Sequence, residues 1–599
     1  MKRIFSPSQR LLISAAMMAS AAVMVFAARV GTVAAAEPVA KAELAKAAQD
    51  TRFASGSGIS LSDLTEVQLQ QLTRLIRVWG FVKYFHNGVA AGEHNMDGEF
   101  IALLPDILKA SSSDEANKLL SRWLTGMGDN RDCGGECTQA AENPYLAVDM
   151  GWINDRYLGA ELSTQLQHLY KNRKFTQHYY NELQAPGIAK PINELGYAGA
   201  EVYSDDGLKL LSLARYWNLV QYFSPYRALE GVDWPEVPAK IAGIVVKADT
   251  QLEYGKALFQ LMNLTRDSHA FIAHPIYFEV FGARTAPLVV RYIESSWVVT
   301  RVLGDKSGIV AGDIIETIDG LEVNKHVDAL KPLIAASNES RSLYNIGEHL
   351  LNTQSEAIEL GFKGGKKVTL TTLGLREHQQ GVAKLNLGAS HRLLAPGIGY
   401  LDLALLTPEE VDKVMPEYLA TKSLIIDVRN YPNRTYRALI KYLYPEPREF
   451  ASYLEPSLET PGQFTLHGKD TAQGLVNPEY YKGQLILLAD ASSQSHAEFT
   501  LMALRRAPNA VVVGSQTSGA DGNTFNADLP GGYSAVITGL GVLTPVSKLH
   551  TQGIGIIPDV EVLPQLKDIR EGRDRVLEEA LALATSGKFS ALVANKTQL

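Results

Sequence analysis

Residues 485–507 read LILLADASSQSHAEFTLMALRRA. LILLAD is a short continuous apolar run of the kind that forms a strand buried on both faces, and FTLMALRRA has helical spacing. Between them stands Ser493-Gln494-Ser495-His496-Ala497-Glu498, so Ser495 falls at a strand-to-helix turn with its hydroxyl at a helix N-terminus. A serine so placed is a candidate acyl-transfer nucleophile if a histidine folds back onto it. Asp267-Ser268-His269, about 226 residues upstream in a helical segment, offers one. The same serine has a structural reading, because Ser495-x-x-Glu498 is a capping box. The two readings are compatible, since a helix N-terminus also favours the negative charge that develops in acyl transfer.

Outward from this turn, apolar runs alternate with helical patterns: GIGYLDLALL, a helix over 408–420, SLIIDVRN, a helix over 434–443, QLILLAD, a helix over 496–506, AVVVGS and YSAVITGLGVLT. Buried strands separated by helices of this length define an α/β core with βαβ crossovers, and RVLEEALALATS closes the chain with a further helix. Residues 285–375 differ in character. Short β-rich runs broken by Gly-Asp and Asp-Gly turns, with a single helical segment near 325–337, suggest a small β module. Its segment GIVAGDIIETIDGLEV (308–323) resembles that of PDZ domains, which accept a peptide as an added strand.

The first half holds an internal duplication. RLIRVWGFVKYFHN (74–87) and SLARYWNLVQYFSP (212–225) align at an offset of 138, placing Trp79 on Trp217, Tyr84 on Tyr222 and Phe85 on Phe223. The alignment continues with Asp129 over Asp267, but Asn130-Arg131 stands where the second copy has Ser268-His269. The helical scaffold therefore does not itself require a histidine there. The aromatic residues shared by the copies read as core.

The 599 residues give a length prior of roughly four domains, and 46% hydrophobic with 20% charged residues is an ordinary globular balance. A net charge of −8 with dispersed Lys and Arg gives no basic footprint for nucleic acid. Lys2, Arg3 and Arg10, the apolar stretch 11–27 and the small residues Ala34-Ala35-Ala36 read as an export signal cleaved near Ala36. No later stretch has the apolar length of a spanning helix, so no stable membrane insertion and a periplasmic or extracellular location are expected. Cys133 and Cys137, in DCGGEC, read as a short disulfide, with free thiols or a metal site as alternatives. No cofactor or metal is implied: the chain has no phosphate-cradling glycine loop and no HExxH pair. The oligomeric state is left open.

Taken together, LIIDVRNYP, ADASSQSHAEF, VVVGSQTSG and GIGIIPDVEV, in this order behind a PDZ-like segment, resemble the tail-specific, or C-terminal processing, serine peptidase family over residues 200–575. The resemblance implies a multidomain α+β protein: signal peptide 1–36, linker 37–60, helical copies 61–195 and 196–284, a PDZ-like domain 285–375, an α/β peptidase core of crotonase/ClpP-like type 385–575, and a C-terminal helix and tail 576–599. It implies a polypeptide substrate and Ser495 as nucleophile. The lysine-dependent branch carries its base at the position of Ala520, so the chain resembles more closely the tricorn-like branch, which implies His269 as base, preceded by Ser268. Where that branch has an orienting glutamate, this chain has Gln552; Asp267 or another carboxylate would then supply the charge. The implied oxyanion donors are the N–H groups of His496 and Asn433. His94, His274 and His550 read as packing or solvent residues, with His550 an alternative base. The rival functional reading is a peptidase fold whose catalysis has lapsed and which holds a peptide or an apolar ligand.

Overall fold

The parallel strands announced by the apolar runs form one six-stranded sheet in the order His391–Ala395, Ile398–Asp402, Ser423–Asp427, Gln484–Ala489, Ala510–Gly514, Val560–Glu561. Only the first pair is antiparallel. The computed structural model in which this sheet is seen describes residues 44–594 except 185–186, 200, 230, 232, 305–307, 386–387 and 468–470. The export signal read over 1–36 lies outside the described residues. Every residue of Ser423–Asp427 and Ala510–Gly514 is buried, because helices cover both faces. Alternate residues Leu424, Ile426, Leu485 and Leu487 pack on one side against Pro408–Tyr418, Tyr436–Leu443 and His496–Leu504. Ile425, Ile486, Leu488 and Val513 pack on the other against Arg575–Thr585. This alternation is the pleat of a strand buried twice over.

Two excursions leave the sheet. One carries the strands Ser452–Pro456 and Phe464–Leu466, the other Thr524–Leu529, Tyr533–Thr538 and Gly541–Leu543. The stretch YSAVITGLGVLT is thus two strands, parted by Gly539 and Leu540. Tyr533–Thr538 pairs with Phe271–Ala273 through Ser534↔Ala273, Ala535↔Ile272 and Val536↔Phe271. That antiparallel ladder ties the N-terminal half of the chain to the C-terminal core immediately beside His269.

The N-terminal half is helical. The long helices Glu66–Phe85 and Asp206–Phe223 are each followed by further helices, ending in Ser113–Met127 and Gln251–Asn263 respectively. Trp79 Nε1 donates to Met96 O at 2.6 Å, and Trp217 Nε1 donates to Trp234 O at 2.8 Å. Each residue of Asp206–Phe223 is buried, so this helix is enclosed on all sides rather than amphipathic. Its Arg215 is paired with Asp97 and lies 3.1 Å from Glu194, and it donates to Asp528 O at 3.0 Å. Buried charges of this kind are held only where partners surround them. The helix is thereby clamped to the second excursion.

Between these halves, Leu288–Ile293 pairs with Ser296–Val302, and Ile315–Ile318 with Ala357–Phe362, which pairs in turn with Lys367–Thr371. The sequence pointed to one helix here, near 325–337; the structure has two, Val323–Leu330 and Glu339–His349. The second escapes notice because its sequence is largely polar, and it is started by Asn338, whose side chain accepts from Arg341 N–H. Cys133 and Cys137 are joined by a disulfide with their Cα atoms 5.2 Å apart. Among the described residues, no helix is long and apolar enough to cross a membrane, and no cluster of acidic, His and Cys residues could hold a metal ion.

Candidate active site

Ser495 begins the helix His496–Leu504 with φ 57° and ψ −119°. A non-glycine residue held there stores roughly 1–3 kcal/mol of backbone strain, and such residues gather at functional turns. Two acceptors hold the turn: Ser495 N–H lies 2.8 Å from Ala520 O and 3.3 Å from Glu498 Oε2. Glu498 does more than cap the helix. Its buried carboxylate also accepts from Thr517 Oγ1 at 2.5 Å, Gly519 N at 2.7 Å and Ala520 N at 2.9 Å. Burial pushes this carboxyl up to about 7 against the pull of those donors. Beside it, burial and the Glu498 charge hold Asp521 well above the usual carboxylate range. Glu498→Ala would strand two backbone N–H groups, those of Gly519 and Ala520, and the Thr517 hydroxyl at about 1–3 kcal/mol each. We expect it to lose at least about 3 kcal/mol of stability in urea unfolding, with the Ser495 turn released.

His269 is buried, delivered by the short loop between the helix Gln251–Asn263 and the strand Phe271–Ala273. Its backbone N–H donates to Asp267 Oδ1 at 2.9 Å. Thr538 Oγ1 donates to Asp267 Oδ2 at 2.5 Å and lies 3.2 Å from His269 Nδ1. Because the Thr538 proton is committed to the carboxylate, its oxygen must accept, so Nδ1 carries the proton and Nε2 is left with a free lone pair. Asp267 Oδ1 itself lies 3.7 Å from Nδ1. Burial lowers His269 below its ordinary pKa; Asp267 opposes this and Arg341 adds to it. Gln494 Nε2, one residue before Ser495, donates to Ser268 O at 3.3 Å, which joins the loops bearing Ser495 and His269.

The remaining expected residues fall differently. Gln552 does not reach Ser268 directly. Its Nε2 donates to Ser337 Oγ at 3.1 Å, and Ser337 Oγ is 3.0 Å from Ser268 Oγ, so a serine from the middle module stands between them. Asn433, expected as an oxyanion donor, has its N–H on Leu403 O at 2.8 Å and its Nδ2 on Ala404 O and Leu406 O at 2.9 and 3.0 Å. It fastens the loop to the core and keeps a negative φ, because the carbonyls after strand Ile398–Asp402 need donors more than the cleft does. His496 keeps its N–H at the turn, while its ring packs between Tyr431 and Tyr436. His550 lies against Tyr145 and Tyr226, and His274 stacks on Tyr533. His94 packs edge-on against His86. In the first helical copy, Asn130 bonds Asn87 N, Phe85 O and Leu169 O, an internal brace where the second copy presents Ser268.

Sequence reasoning missed Thr538, Ser337 and Tyr431. Thr538 and Ser337 carry no local signal, since their partners come from 271 and 69 residues away. Tyr431 follows the strand Ser423–Asp427, and its ring packs 6.3 Å from that of His496. A cavity of about 920 Å³, lined among others by Arg291, Tyr344, His349, Arg429, Tyr431 and Gln494, runs from the middle module to the residues flanking Ser495. It has the size of a ligand cleft.

A serine at a strained strand-to-helix turn, next to a cavity that reaches Ser492 and Gln494, is an arrangement that serine-type peptidases use. Residues 397–562 match the model of peptidase family S41. No curated protein matches it. Among solved structures it is similar to mature CPAF complexed with lactacystin, at 14% identity and a TM-score of 0.51, over 65% of this chain and 99% of that one. It is also similar to the photosystem II D1 C-terminal processing protease, at 16% identity and a TM-score of 0.36, over 63% and 97% of the two chains. For the tricorn protease the figures are 16%, 0.32, 71% and 42%. At 14% identity the likeness to mature CPAF is one of fold.

Proposed function

We propose that the protein is an exported serine endopeptidase that hydrolyses unfolded or tail-exposed polypeptides through an acyl-enzyme on Ser495, with His269 as general base in the manner of the tricorn-like branch. The observation that carries this reading is the Asp267–Thr538–His269 chain of contacts, which fixes the imidazole tautomer that can take a proton at Nε2. As Ser495 Oγ bonds to the scissile carbonyl carbon, its proton passes to Nε2 and the carbonyl oxygen becomes an oxyanion at the His496 N–H. The tetrahedral species collapses with cleavage of the C–N bond, and the imidazolium protonates the leaving amine. Water then attacks the ester, giving its proton to Nε2, and the carboxylic product leaves Ser495 as it regains its proton. Asp267 supplies the charge that Gln552 lacks, and Gln552 steadies Ser268 through Ser337. The duplicated helical region holds the His269 loop against the core, and the PDZ-like module lines the cleft through which an extended chain reaches Ser495.

The test is labelling of the mature protein with a fluorophosphonate probe, with the modified peptide located by mass spectrometry. Labelling on Ser495 that vanishes in Ser495→Ala is the expected result. Folded wild-type protein that resists the probe would sink the reading and leave a lapsed peptidase fold in its place. The mass of the secreted protein reports export: a precursor shortened near Ala36 is expected.

A further inference from the structure

The helix Glu339–His349 of the middle module turns one face to the cavity that reaches the Ser495 turn. Arg341, Tyr344, Asn345 and Glu348, at i, i+3, i+4 and i+7 along it, all line that cavity. Three arginines of the lining differ in their partners. Arg291 is held by Glu348 at 2.6 Å, and Arg429 by Asp427 and Asp574 at 2.6 and 2.8 Å. Arg341 is only 6% exposed, yet among the described residues no carboxylate pairs with it. Its Nη1 donates to Ala491 O at 3.0 Å, its guanidinium lies 4.8 Å from the centre of the Tyr344 ring, and its Nε has no partner. A buried cation without an anion is costly in the free protein. Burial is the largest influence on Arg341 and lowers its pKa, as desolvation of a cation must. Gln494, one residue before Ser495 and also in the cavity wall, adds an acceptor in the same condition: its buried Oε1 has no partner.

We propose that Arg341 is a specificity residue, holding the side-chain carboxylate of a substrate Asp or Glu in the fork of its Nε and Nη2, within a few residues of the scissile bond. The inference rests on the peptidase reading of Ser495 and gives it a substrate class: unfolded polypeptides with an acidic residue at one fixed distance from the cut. The Nε–H and Nη2–H edge matches the two oxygens of a carboxylate, while Nη1 stays on Ala491 O as the anchor. Ala491 is four residues before Ser495, and four residues of extended chain span at most about 14 Å. The carboxylate that meets Arg341 therefore belongs close to the bond being cut. A chain-end carboxylate shares this chemistry, but at that distance it would confine cleavage to the last few residues, whereas an endopeptidase needs a side chain. Gln494 Oε1 suits a main-chain N–H of the same bound segment.

The test begins with wild-type enzyme and a library of C-terminally amidated peptides, the cut sites being read by mass spectrometry. Asp and Glu should be enriched at one position within about four residues of the cut. At that position a Glu peptide should exceed its Gln counterpart in kcat/KM by on the order of 10–100-fold, as hydrogen bonds between charged groups contribute. In Arg341→Gln the Glu-to-Gln ratio should fall to near one, and Arg341→Lys, which keeps the charge without the fork, should give a ratio in between. An arginine that only braces the Ala491 loop gives a different result: both peptides slow together in Arg341→Gln and the ratio stays. That outcome overturns the proposal, and so does a wild-type ratio near one, which needs no variant to fold. A preference seen only in peptides with a free C-terminus assigns Arg341 to the chain end and overturns the side-chain assignment. If wild-type protein labels at Ser495 and cuts without acidic preference, only the Arg341 assignment fails. If it neither labels nor cuts, the peptidase reading falls and this one with it.

Discussion

His269→Ala is expected to lower kcat on an unfolded polypeptide substrate by on the order of 10⁴–10⁶-fold, with KM changed only a few-fold. The residual rate is what the turn geometry, the oxyanion donors and substrate binding provide without a base. The position that carries lysine in the other branch is Ala520, whose N–H and C=O are both tied up by Glu498 and Ser495. His550→Ala is the control, since His550 packs against Tyr145 and Tyr226; it should stay within about twofold of wild type. Equal losses in the two variants would return the base assignment to His550.

The pH profile of kcat/KM carries the same assignment. Only the neutral imidazole accepts the Ser495 proton, so activity falls as His269 protonates. Burial is the largest influence on it and lowers its pKa. The neutral fraction therefore stays near one on descending through the ordinary histidine value of about 6.5, and the acid limb lies below that value. The linked stability has the same sign. Below about 6.5 an unfolded chain binds a proton that the folded site resists, so this residue costs stability as pH falls from there toward its folded pKa.

The peptidase core was legible because parallel strands buried on both faces are continuous apolar runs. Those at 423–427, 484–489 and 510–514 fall inside the runs SLIIDVRN, QLILLAD and AVVVGS. Helix ends moved by a residue or two: the stretches 408–420, 434–443 and 496–506 are Pro408–Tyr418, Tyr436–Leu443 and His496–Leu504, since ends depend on caps and fray. Ser495 and His269 were legible as residue types at turns. Their setting was not. Asp267 is a neighbour in sequence, but Thr538 arrives on the strand Tyr533–Thr538, which pairs with Phe271–Ala273 from far along the chain, and nothing local in GYSAVIT marks it. Asn433 was misjudged because the left-handed tolerance of asparagine invites a glycine-like role, whereas its amide is fully used on two carbonyls of the neighbouring loop.

Asp267→Asn should cut kcat by on the order of 10²–10⁴-fold while leaving the fold intact, and the reason is a single proton. In the native site Thr538 gives its hydroxyl proton to Asp267 and accepts from His269 Nδ1. An asparagine amide facing Thr538 through its NH₂ reverses that order: Thr538 must then donate to Nδ1, and the imidazole carries its proton on Nε2, where the base is needed. The carboxylate charge 3.7 Å from Nδ1, which would stabilise the imidazolium, is lost as well. A purely structural role for Asp267 would leave the pH profile alone. The electrostatic role does not: Asp267 raises the His269 pKa, so its removal must shift the acid limb to still lower pH, even as the plateau rate collapses. Thr538→Val separates the two contributions, because it keeps the charge and removes the relay; a loss smaller than that of Asp267→Asn, with the limb unshifted, is expected. If Asp267→Asn keeps wild-type kcat and an unmoved limb, the charge on His269 comes from elsewhere, and the Asp267–Thr538–His269 chain is a brace for the loop rather than part of the chemistry.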